Sequence, residues 1–255
     1  MSNYVKGIVE KYSLSETLSF TEQSNIYDPL CDLLDRWAYK YGYNLTQKKI
    51  SGSRAKGTAI SICSDMDIFA SLSSTTNSTL SEIYNSLFDY IKSQNLECRK
   101  QNVSIGVVSN GKRFDLVPGK RQDQYSDDHS LWVSKKGSWT KTNITTHIST
   151  VCSSKRSIEI KATKLWRERH KIDFPSFYLE LAVIEATRNL RYDDNDNNFL
   201  RVLEWLGENI VNFRAEDPAN TNNIISEDLT FSEKKKIESQ AKASRQKKTW
   251  GEILW

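Results

Sequence analysis

The chain has 255 residues, enough for one large domain or two small ones. Its 38% hydrophobic and 27% charged residues exclude a disordered, collagenous or membrane-embedded chain, and no apolar run approaches the ~18 residues of a transmembrane helix. The net charge of +4 sits wholly in residues 231–255, where 7 Lys and Arg face 3 Asp and Glu; the rest balances at 29 against 29, which excludes a uniformly basic nucleic-acid-coating protein.

Four scattered cysteines, Cys31, Cys63, Cys98 and Cys152, contain no CxxC pair, so neither a disulfide framework nor a cysteine-rich zinc site is expected. Reduced thiols and a cytoplasmic location are the expectation. The first residues, MSNYVKGIVEKY, lack the basic-then-apolar order of a secretory signal.

Residues 22–41 place Ile26, Leu30, Leu33, Leu34, Trp37 and Ala38 at helical spacing, with Pro29 near the start. A strand over 44–50 ends at Gly52-Ser53, and a short helix or turn follows. Residues 65–72 alternate as a strand, and 79–94 read as a helix. Strands are expected at 96–100, 103–108 and 112–117, the last two joined by an Asn110-Gly111 hairpin turn. From residue 144 the period becomes helical, at 156–170, 176–191, 197–213 and 231–250, with polar breaks at 193–198 and 217–220. The fold class is therefore α+β: a mixed-sheet catalytic domain over 1–143 and an all-helical domain over 144–255.

The chemistry concentrates around Ser64-Asp65-Met66-Asp67-Ile68. Two residues apart on a strand, Asp65 and Asp67 point to one face, and Met66 and Ile68 to the other. Like charges so placed repel unless a cation lies between them. Mg²⁺ takes such oxygen ligands, and two ions about 3.5–4 Å apart form the clamp that polymerases use. Asp115 stands alone in the apolar stretch Phe114-Asp115-Leu116-Val117-Pro118, costly unless paired or metal-bound. It is the candidate third ligand and the base for an attacking hydroxyl. Gly52-Ser53, 12 residues before Asp65, provides close backbone approach and a hydroxyl, and the amides of the next helix a place for triphosphate oxygens. A lone DxD is usually a solvated turn; the conjunction with Gly-Ser and Asp115 carries the two-metal reading.

The set Gly52-Ser53, Lys56-Gly57-Thr58, Ser64-Asp65-Met66-Asp67-Ile68 and Asp115-Leu116-Val117-Pro118 resembles the DNA polymerase β-type nucleotidyltransferases. More narrowly, it resembles the branch of archaeal CCA-adding enzymes, oligoadenylate synthetases, cyclic GMP-AMP synthase and bacterial CD-NTases. Lys161 to Arg167, Pro175 to Glu180 and Asp217-Pro218-Ala219-Asn220-Thr221-Asn222-Asn223 extend the likeness, which spans roughly 45–255.

The resemblance implies catalytic and metal-binding roles for Asp65, Asp67 and Asp115, and nucleotide-binding roles for Gly52, Ser53, Lys56, His147, Lys164, Ser176 and Phe177. Lys164 would neutralise a triphosphate, and its plainer reading is a solvated helix lysine. Ser176 would donate to a phosphate oxygen or serve as an N-cap. Phe177 or Tyr178 would stack on the base; about 100° apart on a helix, they leave one of the two to the core. His147 stands where CCA-adding enzymes carry a nucleotide-contacting histidine. Glu180 reads as a structural ion-pair member rather than a catalytic group. Trp132, Trp139, Trp166, Trp205, Trp250 and Trp255 read as packing anchors between the two halves. The 233–248 segment reads as a helix with a solvated basic face that also suits an acceptor phosphate backbone.

These readings imply a template-independent enzyme that joins NTPs or dNTPs with two Mg²⁺ ions, Mn²⁺ serving as an alternative. The product would be a cyclic or linear oligonucleotide, read by a separate effector protein in bacterial antiphage signalling. Other readings stay open: addition to a tRNA or other nucleic-acid 3′ end by a CCA-adding-like enzyme or toxin, and a catalytically idle nucleotide sensor. The short span after 231–250 is expected to leave no room for added tRNA-binding domains, which favours the signalling enzyme. No membrane insertion is expected.

Overall fold

The computed structural model describes residues 3–63, 65–109 and 111–254; Ser64, Asn110 and Trp255, all named above, lie outside the described residues. In chain order the elements are α1 (Tyr4–Tyr12), α2 (Phe20–Glu22), α3 (Asp28–Tyr41), β1 (Leu45–Ser51), α4 (Gly52–Ala55), β2 (Met66–Leu72) and α5 (Leu80–Ser93). Then follow β3 (Glu97–Lys100), β4 (Ile105–Ser109), β5 (Lys112–Arg121), β6 (His129–Val133), β7 (Ser138–Thr142), α6 (Ile144–Ser153) and α7 (Ser157–Arg169). The chain continues with α8 (Ser176–Ala186), α9 (Asn195–Asn209), β8 (Glu216–Asp217), β9 (Asn220–Ile224), α10 (Phe231–Arg245) and α11 (Trp250–Ile253).

The chain divides into two compact units. One comprises 15–55 and 65–147, and the other 1–14, 56–64 and 148–255. The sequence reading divided the chain once, at 143/144. Instead, segments 1–14 and 56–64 group with the helical unit, because Val5, Ile8, Val9 and Ile60 are buried in its apolar core.

The sheet-containing unit is built on the order β1-β2-β5-β4-β3, with β6 pairing β5 and β7 pairing β6. Only β2 and β5 run parallel among these pairs of described strands. Alternation along β2 puts Met66, Ile68, Ala70 and Leu72 into a core shared with α3 and α5, including Leu34, Trp37, Leu87 and Ile91. Asp67 therefore projects from the opposite face. β5 extends past 117 through Pro118 to Arg121, further than expected. Pro118 is tolerated because it pairs with Ala70 on β2 while β4 stops opposite Leu116 and β6 begins opposite Lys120, so its other edge carries no ladder. The β4–β5 register places Ser109 opposite Lys112, and Gly111 takes φ +72°, as a two-residue hairpin turn demands.

The single helix expected over 22–41 is α2 and α3 joined by a π-helical turn, Gln23–Tyr27. The widened turn precedes Pro29, which has no N–H to give and a ring that would crowd an α-helical carbonyl four residues back.

The other unit packs α1, α7, α8, α9 and α10 around Leu165, Trp166, Tyr178, Phe199, Leu203 and Ile237. Its described residues are mainly helical, with the β8–β9 hairpin at the polar break expected at 217–220 and a bridge between Ser13 and Ile60. Asp217 is buried, accepting from the Ala219 amide at 2.8 Å and the Asn223 side chain at 3.1 Å, so these polar residues fold a turn on themselves. Among the described residues, no helix is long and apolar enough to cross a membrane.

Four of the tryptophans read as anchors pack against the core of their own unit. Trp166 is fully buried, with its indole N–H on Ser244 at 2.9 Å; Trp205 and Trp250 pack against the same core, and Trp132 against that of the sheet unit. Trp139, on the edge strand β7, is 59% exposed.

Candidate active site

In the sheet unit, the parallel pairing of β2 and β5 sets Asp67 directly opposite Asp115. The two carboxylates thus rise from one sheet face on adjacent strands. Asp65 lies one residue before β2 and pairs with Arg113 on β5, Oδ1 to Nε 3.4 Å. The Asp115 carboxyl is raised above the usual carboxylate range, first by burial and then by the charge of Asp65. The Gln101 side-chain amide partly counters this, donating to Asp115 Oδ1 at 2.8 Å.

Gly52 and Ser53 begin α4, a four-residue turn running directly out of β1. Gly52 has φ +59°, and a Cβ on it would lie 1.8 Å from Asp67 Oδ2. Both facts require glycine here. The next residue but one, Arg54, is buried and fastens this turn, with Nη2 donating to both carboxylate oxygens of Glu22 at 3.1 and 2.9 Å. Ser53 is half-buried on the same turn.

A fit to divalent cations rests on the donor set: three carboxylates on neighbouring positions, one of them raised by another's charge. As the side chains stand, however, no three His, Cys, Asp or Glu groups among the described residues are gathered tightly enough to hold one ion. Asp65 is engaged by Arg113 and Asp115 by Gln101, protein partners that satisfy these carboxylates.

In the helical unit, the expected nucleotide-binding residues form a second constellation. Glu180 is 1% exposed and accepts three hydrogen bonds: from Lys164 Nζ at 2.8 Å, Lys56 Nζ at 2.9 Å and Thr58 Oγ1 at 2.7 Å. Burial works against its charge, but the two ammonium groups and Thr58 more than offset this and hold the carboxyl down at about 2. Lys164 is likewise buried, and its Nζ also meets Thr58 Oγ1 at 3.0 Å and the Thr58 carbonyl at 3.2 Å. Burial pushes its ammonium below the usual lysine range against the pull of Glu180, and the charges of Lys56 and Arg167 add to the lowering.

Lys164 is thus neither solvated nor turned to an open surface. Glu180 occupies the ion pair that the sequence reading preferred. Lys56 lies over the Phe177 ring, 4.1 Å from its centroid. Of Phe177 and Tyr178, Tyr178 is the one given to the core. Tyr178 is a core residue, stacked on Phe213 with its hydroxyl on the Ile210 and Phe213 carbonyls, while Phe177 is half-buried. Ser176 opens α8 behind Pro175, is exposed, and accepts from Arg167 Nη1 at 3.0 Å. His147, in the sheet unit, is half-buried on α6, where it closes the first helical turn onto Asn143.

No family model and no curated protein matches the sequence. Solved structures do match in shape. CdnC of E. coli MS115-1 with ATP superposes with a TM-score of 0.73 at 19% identity, covering 94% of this chain and 89% of that one. The CD-NTase CdnG of Bradyrhizobium diazoefficiens, in complex with GTP, gives 0.74 at 11% identity over 93% and 88%. The Cid1 poly(U) polymerase, bound to MgATP, gives 0.64 at 14% identity over 95% and 92%.

The fold is that of the polymerase β-type nucleotidyltransferases.

Within this nucleotidyltransferase fold, Asp65, Asp67, Asp115, Gly52 and Ser53 belong to the sheet unit, as does His147. Lys56, Lys164, Ser176 and Phe177 belong to the helical unit. Sequence reasoning missed Gln101, which donates to Asp115 from just beyond β3, Gly106, which stands opposite Asp115 on β4, and Arg113, which pairs with Asp65 from β5. Arg113 was visible two residues before Asp115, on the same strand face. Gln101 and Gly106 carried no signal, because their approach to Asp115 depends on the register of β4 against β5.

Proposed function

We propose that this chain is a template-independent, Mg²⁺-dependent nucleotidyltransferase that joins NTPs or dNTPs into a cyclic or linear oligonucleotide. The observation that carries the reading is the register of Asp67 against Asp115, with the Gly52 backbone against Asp67, on a polymerase β-type fold. Asp65, Asp67 and Asp115 would hold two Mg²⁺ ions, with Arg113 and Gln101 giving way as the carboxylates turn inward. When bound, the ions would neutralise the triphosphate and lower the pKa of the attacking hydroxyl.

Asp115, opposite Asp67 on the adjacent strand, takes the proton of that hydroxyl. The hydroxyl oxygen bonds to the α-phosphorus as the bond to the pyrophosphate oxygen breaks. Ser53 and the backbone at Gly52 position phosphate oxygens. In the helical unit, Lys56 and Ser176 contribute a cation and a hydroxyl toward phosphate, and Phe177 a ring face for the base. Lys164 acts at one remove, by holding Glu180 and through it Lys56. His147 is proposed as a nucleotide contact. The division of labour proposed here gives catalysis to the sheet unit, 15–55 and 65–147, and most of the nucleotide holding to the helical unit.

A bacterial antiphage signalling role fits best, with a separate effector protein reading the product. It is supported by the likeness to CdnC and to the CD-NTase CdnG. A cytoplasmic setting is consistent with four free cysteines. The likeness to Cid1, a poly(U) polymerase, favours a second reading, addition of nucleotides to a nucleic-acid 3′ end.

The deciding experiment incubates the full chain with each NTP and dNTP and Mg²⁺, with and without oligonucleotide acceptors, and reads pyrophosphate and product mass. Cyclic or short linear products without acceptor support the signalling reading, and extension of an added strand supports the second. No pyrophosphate in any mixture counts against both.

A further inference from the structure

We propose that Gln101 is a positioning residue for Asp115, held in place by a glycine that exists to admit it. This inference rests on the reading of Asp115 as a metal ligand. Gln101 follows β3 in the hairpin that leads into β4, and its backbone is tied at three points. Its amide donates to the Ser104 carbonyl at 2.9 Å, and its own carbonyl accepts from the Tyr84 hydroxyl at 2.6 Å and Ser134 Oγ at 2.5 Å. The Tyr84 side chain comes from the buried face of α5, so the anchor reaches into the core.

With the backbone tied, the side-chain amide is held at both its ends. Its amide nitrogen reaches Asp115 Oδ1 at 2.8 Å, and its amide oxygen accepts from Ser104 Oγ at 3.3 Å. That second bond orients the amide, so the NH₂ end, not the oxygen, faces the carboxylate. Gly106 stands opposite Asp115 on β4. A Cβ there would fall 2.6 Å from the Gln101 amide nitrogen, and only 3.3 Å from Arg99 Cγ and Nε, so the amide is what it would chiefly displace. The missing side chain on β4 is therefore the space that the Gln101 amide occupies.

One carboxylate oxygen of Asp115 is thereby held by a donor with a preset direction. Partners that orient a metal-binding group in this way govern affinity without touching the ion. Gln101 is neutral, so it fixes Asp115 without competing for the cation, unlike Arg113 on Asp65.

The test uses the full chain and measures Mn²⁺ binding by electron paramagnetic resonance, alongside the Mg²⁺ concentration that half-saturates turnover. The variants are Gln101→Ala, Gly106→Ala, the pair together, and Asp115→Asn. Circular dichroism confirms that each is folded. Gln101→Ala is expected to weaken Mn²⁺ binding by about 10-fold, with the KM for nucleotide little changed. Gly106→Ala should weaken it in the presence of Gln101 but add nothing in the double variant, because its methyl acts by displacing the amide. That non-additivity is the signature of positioning, which a general loosening of the sheet would not produce. Wild-type Mn²⁺ affinity in folded Gln101→Ala overturns the proposal, as does full additivity. Should Asp115→Asn also bind Mn²⁺ like wild type, or wild type bind none, the metal reading itself fails and the role of Gln101 falls with it.

Discussion

The backbone of Gly52 lies so close to the carboxylate of Asp67 that a single added methyl would overlap it, 1.8 Å from Oδ2. A turn at the end of β1 and a side chain on β2 thus define each other's position. Gly52→Ala must both adopt φ +59° and expel the carboxylate. Denaturant unfolding should show a loss of about 1–2 kcal/mol from the backbone alone. Pyrophosphate release should fall by about 100-fold or more as Asp67 is displaced by an ångström or so. Wild-type turnover in this variant would mean that Asp67 is not needed where it stands.

Asp115 carries charge at a cost. Its carboxyl is raised by burial and by Asp65, so its stabilising contribution is present in acid, below the ordinary aspartate range. That contribution is lost as pH rises through the raised value. At neutral pH, Asp115→Asn should therefore melt at the same temperature as wild type or higher, while turnover drops to background. Asp67→Asn should be equally inactive. A clear fall in Tm with retained activity would make Asp115 a structural residue.

Glu180 anchors two lysines in the helical unit. Glu180→Leu leaves the Lys164 ammonium buried with only Thr58 for company, and should cost about 3–5 kcal/mol in urea unfolding. Adding Lys164→Met should recover much of that loss, because the uncompensated charge is then gone. If the double variant is no more stable than the single, packing rather than charge is what Glu180 supplies.

His129 gives the sheet unit a pH dependence of definite sign. It is 2% exposed, with Nε2 at 2.7 Å from Ser71 Oγ, Nδ1 at 2.8 Å from the Asp127 carbonyl, and its ring edge-on to Phe69. Burial pushes its pKa below 6.5, and Arg121 and Lys49 add to this. The unfolded chain therefore takes up a proton that the folded chain refuses, and stability falls as pH drops below about 6.5. The urea midpoint should decline from pH 7.5 to pH 5.5, and His129→Gln should flatten that slope in part. His170, also lowered by burial, accounts for a remainder of the same sign. An unchanged slope in His129→Gln would assign the whole effect elsewhere.

Much of this was legible in the sequence because the signals were local. Alternation around Asp67 identified β2 and its outward face, and Thr79 with Glu82 caps α5 where the helical period begins. Gly52-Ser53 and Asp115 were readable because glycine and a lone acid in an apolar strand are each costly without a purpose. What stayed hidden depends on distant partners. α1 was passed over although Val5, Ile8 and Val9 share one helical face, since that face has meaning only against the helical core. The β6–β7 hairpin was missed although His129, Leu131 and Val133 alternate inward, because a buried histidine reads as polar until Ser71 is seen beside it. Lys164 looked like any helix lysine; its burial is set by Glu180 and Thr58, 16 and 106 residues away.

The division of the chain has a practical consequence. The backbone passes between the two units after residues 14, 55, 64 and 147, so neither unit is a continuous stretch. Gly52 and Asp67, which touch, are separated in sequence by a loop that belongs to the other unit's core through Ile60. No single cut yields either unit with all its parts, and a protease nick within 56–64 strikes both at once. Halves expressed apart would each lack a segment that the other carries, so a split-protein reporter built at 143/144 should reassemble rather than work as two independent modules.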